Sequence, residues 1–179
     1  NNILICLIIY QYNNFNIKTF YKFTKHVPLI DGRGLERKIK INKKNINFVD
    51  ESYNASPVSM KMCIDHFINI VTKKGQKKFL ILGDMLELGK KSLDYHLDVI
   101  NYIISNKIKN VIICGKNMKM AFNKSKIKKS DINLIENQLF LFDYLYNHLK
   151  NNDILVIKGS NATYVNKLGK KLLNTKGEF

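Results

Sequence analysis

Cysteine is scarce and badly arranged for crosslinking. Cys6, Cys63 and Cys114 are odd in number, far apart and without a C-x-x-C. That excludes a disulfide framework and a zinc site, and it fits reduced, buried thiols in a cytoplasmic protein. The four histidines, His26, His66, His96 and His148, show no metal-ligand spacing either, so no metal-binding residues are assigned. Arginine is nearly absent: Arg33 and Arg37 are the only two in 179 residues. Acids are few as well, 14 against 30 basic residues, which leaves a formal net charge of +16. The excess is lysine spread along the whole chain, without aromatics interleaved at a stacking spacing. Nucleic-acid recognition relies on arginine for bidentate contacts and on aromatic platforms for bases, so a nucleic-acid partner is not expected. The charge still steers small anions. The longest apolar run, Ile3 to Tyr10, is too short to span a bilayer, and no basic leader or cleavage site accompanies it. Glycine is also thin, and no G-x-x-x-x-G-K-[ST] phosphate cradle occurs; Gly115-Lys116-Asn117 is the nearest string.

What remains is a sequence with 45% hydrophobic residues, enough for one sizeable core. The apolar runs fall into a recurring order. Residues 2–12 read as a buried helix, with a second short helix around 16–25 that Pro28 ends. Residues 35–41 read as an edge strand, then Lys43-Lys44-Asn45 turns into a strand at 46–50. Short continuous apolar runs at 79–82, 111–115 and 154–157 suit buried parallel strands, and 132–136 reads as a weaker one. Between them run helical patterns. One follows Pro57, with Val58, Met62, Cys63, Phe67, Ile70 and Val71 as core face, Met60 as a packing residue and Gly75 as C-cap. Another follows a Ser92 cap, with Leu93, Leu97, Ile100, Ile103 and Ile104 inward. Short helices are expected at 117–124, at Leu139–Leu149 through Leu139, Phe142, Leu145 and Leu149, and from Tyr164 through Val165, Leu168, Leu172 and Leu173. Strand–helix units in series argue an α/β, Rossmann-like fold: a mostly parallel sheet with helices on both faces.

Polar clusters sit where such a sheet binds ligands, at the C-terminal ends of strands. The densest is Asp50-Glu51-Ser52-Tyr53-Asn54-Ala55-Ser56-Pro57. Ser56 is a good N-cap and Pro57 fits the first helical position, so this cluster lies between a strand end and a helix N-terminus. Asp31-Gly32-Arg33-Gly34 is a glycine-flanked turn that leaves Arg33 room to reach outward, and arginine clamps phosphate bidentately. Gly83-Asp84-Met85-Leu86-Glu87-Leu88-Gly89 follows the strand at 79–82 and offers Asp84 and Glu87 as candidate acids for orienting substrate or a metal-bound water. His96, one turn from Ser92, reads as a structural histidine near the same edge. Lys158-Gly159-Ser160 closes the strand at 154–157.

The four motifs, in this order, resemble the Mur ligases, and among them the branch that adds D-alanyl-D-alanine to UDP-N-acetylmuramoyl-tripeptide in peptidoglycan precursor synthesis. The resemblance covers about residues 30–175. It implies that 1–29 are the helical end of a central ATPase domain and 30–179 a Mur ligase C-terminal domain. It implies an ATP-dependent carboxylate–amine ligase using ATP and Mg2+, both bound mainly by the central domain, with the rest of the ligase chain as partner. With no phosphate cradle of its own, this chain is expected to be inactive alone. Arg33, Tyr53 and Asn54 take catalytic places. Asn2 near the adenine, Arg33 at the phosphates, and Asp50 and Glu51 at the ribose form the nucleotide set. Asn54, Asp84, Glu87, Lys158 and Ser160 form the substrate set. The sequence departs from the family pattern at several points. Asn1 stands where a His is usual, Glu51 where many members have Asp, and Ser56 where Asn is usual. Asn161-Ala162-Thr163 replaces an Arg-containing continuation. Three other readings stay open: a non-catalytic nucleotide-binding α/β module or decayed fragment, a sister Mur ligase adding another amino acid, and a basic RNA-binding domain.

Overall fold

A computed structural model describes residues 2–25, 32–125 and 132–174, without the side chains of Asn2, Leu35 and Gln138. His26, Pro28 and Asp31, which entered the sequence reading, lie outside that set. The chain divides into two compact units, Asn1–Ile30 and Asp31–Phe179.

The first unit holds helices α1 (Asn2–Tyr12) and α2 (Ile17–Thr24). Asn16 caps α2 by accepting from the Lys18 amide at 2.9 Å. Tyr10, Phe15 and Phe20 pack ring to ring. The expectation of a buried α1 fails, since Ile3, Leu4, Ile5, Ile8, Ile9 and Tyr12 are all exposed. The helix is apolar on every side, and α2 is too short to cover it. Cys6 is therefore exposed, unlike Cys63 and Cys114.

The second unit is a six-stranded sheet in the order β1-β2-β6-β3-β4-β5. Strands β1 (Leu35–Ile41) and β2 (Lys44–Glu51) form an antiparallel hairpin at one edge. Its turn is Asn42-Lys43, one residue earlier than the sequence suggested. Both residues have positive φ (49° and 60°), the twist that two-residue hairpins favour. β3 (Lys78–Leu82), β4 (Val111–Ile113), β5 (Ile132–Leu134) and β6 (Ile154–Lys158) run parallel to β2.

Helices cover both faces. Leu80, Leu82, Val111, Ile113 and Val156 point to one layer, formed by α3 (Pro57–Asn69), α4 (Ser92–Ser105) and α5 (Lys116–Lys124). Phe79, Ile81, Ile112, Leu155 and Ile157 point to the other, formed by α6 (Gln138–His148) and α7 (Tyr164–Asn174). Alternate residues of one strand thus enter opposite cores, which is why these strands are apolar without a break.

Several helix faces are rotated from the sequence reading. On α3 the buried residues are Met60, Cys63, Ile64 and Phe67, while Val58, Met62 and Val71 are exposed. The spacing 60–63–64–67 fits one helical face, and Val58 and Met62 fall on the other. α3 ends at Asn69, so Gly75 is a turn glycine beyond the helix rather than its cap. α4 buries His96, Val99, Ile100 and Ile103. Its N-cap position is Lys91 after a short 3-10 turn, and Ser92 is its first residue. On α6 Leu141 is buried and Leu139 exposed.

Candidate functional site at the carboxyl edge of the sheet

Register brings three motifs to one level. Glu51 at the end of β2 pairs with Lys158 at the end of β6, and Lys158 pairs with Leu82 at the end of β3. The connections leaving β2 and β3 pass to the α3–α5 layer, whereas the one leaving β6 enters α7 on the other face. The connection leaving β6 therefore diverges from those of both its neighbours, and a crevice opens at that switch point. That crevice, about 350 Å3, is lined by Asn54, Leu86, Glu87, Ser160, Asn161 and Ala162. A larger depression of about 610 Å3 lies at the other end of the sheet, among Lys38, Lys73, Lys74 and surface amides. It gathers lysines and amides but none of the motif residues.

The loop after β2 starts with a turn made by its own side chains. Asp50, buried, accepts from the Ser52 amide (2.9 Å) and hydroxyl (2.6 Å). Asn166 of α7, also buried, donates to the Ser52 carbonyl at 2.9 Å. Sequence reasoning missed Asn166; its one signal was a polar residue within an otherwise apolar helical pattern. Gly169 lets α7 approach, because a Cβ there would meet Asp50 Oδ2 at 2.7 Å. Asp50 is thus turned away from the crevice and holds the loop. Ser56 completes a capping box with Ser59, each side chain bonded to the other's backbone amide (Ser59 N to Ser56 Oγ 3.3 Å, Ser56 N to Ser59 Oγ 2.9 Å).

Tyr53 and Asn54 remain exposed on this loop. The Arg33 guanidinium lies 4.3 Å from the Tyr53 ring centroid. The glycines on either side of Arg33 earn their places. Gly32 accepts from the Tyr53 amide (2.9 Å), and Gly34 donates to the Asp50 carbonyl (2.7 Å). Both have φ near +80°, and a Cβ on Gly32 would strike Tyr53 N. Glu51 is half-buried, and a Cβ on Gly34 would meet its carboxylate at 2.7 Å.

Lys158 departs from the sequence expectation of a substrate-facing point charge. It is 3% exposed, and its ammonium donates to the Asn54 carbonyl (2.9 Å) and the Glu51 carbonyl (3.4 Å), with Glu51 Oε2 at 3.8 Å. Cys63 lies beneath this group. Burial pushes its thiol up to about 12, opposed in part by the Lys158 charge.

The loop after β3 is held from the opposite polarity. Asp84, expected as a substrate acid, is buried and accepts from the amides of Met118 (2.8 Å) and Asn117 (3.2 Å), so its charge sits on the N-terminus of α5. Gly115 makes room, since a Cβ there would lie 2.5 Å from the carboxylate. The string Gly115-Lys116-Asn117 therefore has a resident anion. Cys114 is nearby; burial and then the Asp84 charge push its thiol up to about 12. His96, fully buried, accepts from the Met85 amide through Nε2 (2.9 Å), and its Nδ1 lies 2.6 Å from the Ser92 carbonyl. Nδ1 therefore carries the proton, and His96 is a loop anchor. Ser160 is buried too, its hydroxyl accepting from the Leu86 amide at 3.0 Å. Glu87 is exposed at φ 62° and faces the crevice.

Asn2 opens α1 in the other compact unit, and its side chain lies outside the described residues. Among the described residues no group of three or more His, Cys, Asp or Glu could hold a metal ion. No described helix is long and apolar enough to cross a membrane.

These features define a class: a doubly covered, mostly parallel sheet with ligand-type loops gathered at a topological switch point. The family pattern described as "Mur ligase, glutamate ligase domain" matches residues 36–161, and the chain belongs to that family. It is 28% identical over 170 residues to the UDP-N-acetylmuramoyl-tripeptide–D-alanyl-D-alanine ligase of Rickettsia prowazekii, covering 94% of this chain and 36% of that protein. MurF from Acinetobacter baumannii shares the fold with a TM-score of 0.72 at 19% identity, over 97% of this chain and 37% of that one. MurF from Thermotoga maritima, in complex with ADP, does so with a TM-score of 0.67 at 22% identity, over 93% and 36%. The chain thus spans about a third of the length of these relatives.

Proposed function

We propose that this chain is the C-terminal part of an ATP-dependent ligase that joins D-alanyl-D-alanine to UDP-N-acetylmuramoyl-tripeptide in the cytoplasm, with residues 1–29 the end of the ATPase domain. The observation that carries the reading is the crevice at the switch point, where Asn54, Glu87 and Ser160 meet in a domain of this family. The exposed apolar helix α1 supports the assignment of residues 1–29, because a helix apolar all round belongs inside a larger body.

ATP supplies the phosphoryl group that converts the tripeptide carboxylate to an acyl phosphate. The amine of the dipeptide then forms the amide bond as phosphate leaves and the nitrogen loses its proton. In this scheme Arg33 reaches phosphate oxygens, pre-oriented by its stack on Tyr53. Asn54 presents its side chain to the reacting centre. Glu87, the one carboxylate lining the crevice among the described residues, draws the dipeptide's ammonium. Asp50, Asp84, Lys158 and Ser160 serve by holding loops. No group of three or more His, Cys, Asp or Glu gathers among the described residues, and no step here is assigned to Mg2+.

The test is phosphate release by the intact ligase carrying this segment, given ATP, the tripeptide substrate and D-alanyl-D-alanine. Dipeptide-dependent release is the expected result, with the 179-residue chain alone inactive. Release with a single amino acid instead would make it a sister Mur ligase. The absence of a phosphate cradle favours one alternative, a binding module, which nucleotide binding without turnover would establish.

A further inference from the structure

We infer that Lys158 is a positioning residue for the amide-forming step, acting through the backbone of the Glu51–Asn54 loop and not by touching substrate; the inference rests on the ligase reading above. Three observations converge. The side chain is 3% exposed, so a ligand in the crevice does not reach its ammonium as the loops stand. Two backbone carbonyls accept from it, one of them belonging to Asn54 itself, 104 residues away in sequence. The residue two positions on, Ser160, accepts from the Leu86 amide. The end of β6 therefore grips both neighbouring loops, one by its carbonyls and the other by an amide, and sets the width of the crevice between Asn54 and Glu87.

An ammonium suits this task because it is the one side-chain group with three donors on a compact head. Glu51 Oε2 at 3.8 Å balances the buried charge. Without the ammonium, two half-buried carbonyls lose this donor and the loop that carries Asn54 relaxes. A displacement of the order of 1 Å at a positioned group costs about 100-fold in rate. Lys158 thereby shapes the site from beneath, and a substrate carboxylate or phosphate must find its cation elsewhere, with exposed Arg33 the one arginine in the motif set.

The experiment compares Lys158→Met with the parent in the intact ligase, together with backbone amide NMR spectra of the 179-residue chain. The expected result is a kcat lower by about 100-fold, KM for both substrates within about threefold, and displaced Asn54 and Ala55 amide signals with the sheet signals unmoved. If Lys158→Met does not fold, Lys158→Gln, one bond shorter than lysine and without its charge, is read in the same way. A KM for one anionic substrate raised about tenfold or more at unchanged kcat would make Lys158 a substrate ligand and overturn the inference. Unchanged kcat and KM would overturn it as well. A parent that forms no amide bond removes the ligase reading and the kinetic half of the inference. The Asn54 and Ala55 signals then decide alone whether Lys158 holds the loop, and unmoved signals sink it.

Discussion

The loop after β2 and the loop after β3 face one crevice but are held in opposite ways. The first turns carbonyls inward. Glu51 and Asn54 give theirs to the Lys158 ammonium, and Ser52 gives its own to Asn166. The second turns amides inward, Met85 to the His96 imidazole and Leu86 to the Ser160 hydroxyl. A loop that buries carbonyls needs donors beneath it, and one that buries amides needs acceptors, because neither group tolerates burial unpaired. Each loop also turns its first acid inward, Asp50 on its own turn and Asp84 on the N-terminus of α5. The residues left facing outward, Tyr53 and Asn54 on one loop and Glu87 on the other, are the ones able to meet a ligand.

The sharpest break of this contrast sets Asp84 against Glu87. Asp84→Ala leaves the buried Met118 amide and the half-buried Asn117 amide of α5 without an acceptor, and urea unfolding should show a loss of about 3 kcal/mol. Glu87→Ala, on the same loop, should stay within about 0.5 kcal/mol. Equal losses would mean that inward and outward acids do not differ. Next comes Asn54, outward on the first loop. In the intact ligase Asn54→Ala should lower turnover by about 100-fold while stability moves by about 0.5 kcal/mol or less. Parent-like turnover would remove Asn54 from the site.

The thiols beneath the two loops report on burial. Cys63 and Cys114 ionise at about 12 in the fold against 9.0 for an ordinary thiol. Their contribution is complete below pH 9 and is lost as pH rises from 9 to 12, because the unfolded chain releases these protons first. Unfolding free energy should fall by about 1.4 kcal/mol per pH unit for each thiol in that window. Replacing either Cys by Ala should flatten the fall, and in the parent at pH 8 iodoacetamide should label Cys6 alone. The smallest effect concerns the departure at Ser56. Ser56→Ala should cost about 1 kcal/mol in thermal or urea unfolding, and Ser56→Asn, the usual residue of the family, about nothing, since both cap helices well. A large loss with Asn would show that the loop needs serine for its bond with Ser59.

The order of strands and helices was legible because apolar runs and turn residues are local signals. The exposed edge strand, the Pro57 helix start and the carboxyl-edge placement of all three motifs followed from them. Which face of α3 or α6 is buried was less legible, because both carry apolar residues on more than one side, and packing against the sheet selects among them. Val58 and Leu139 read as core and lie outside it, while Ile64 and Leu141 take those places. Burial of α1 was misread for a related reason, since an apolar pattern shows what a helix needs and not whether this chain supplies it.

The sequence by itself determined the family, the mostly parallel sheet and the residue types gathered at its carboxyl edge, because those depend on local pattern and motif order. Tertiary structure alone decided which motif residues are left outward at the crevice edge and which hold the loops. Asp50, Asp84, Lys158 and Ser160 have the chemistry of ligand-binding side chains. Apart from Asp50, which bonds Ser52 of its own turn, their partners lie on other elements, up to 107 residues away, and only parallel register brings an ammonium beneath the carbonyls that bind it.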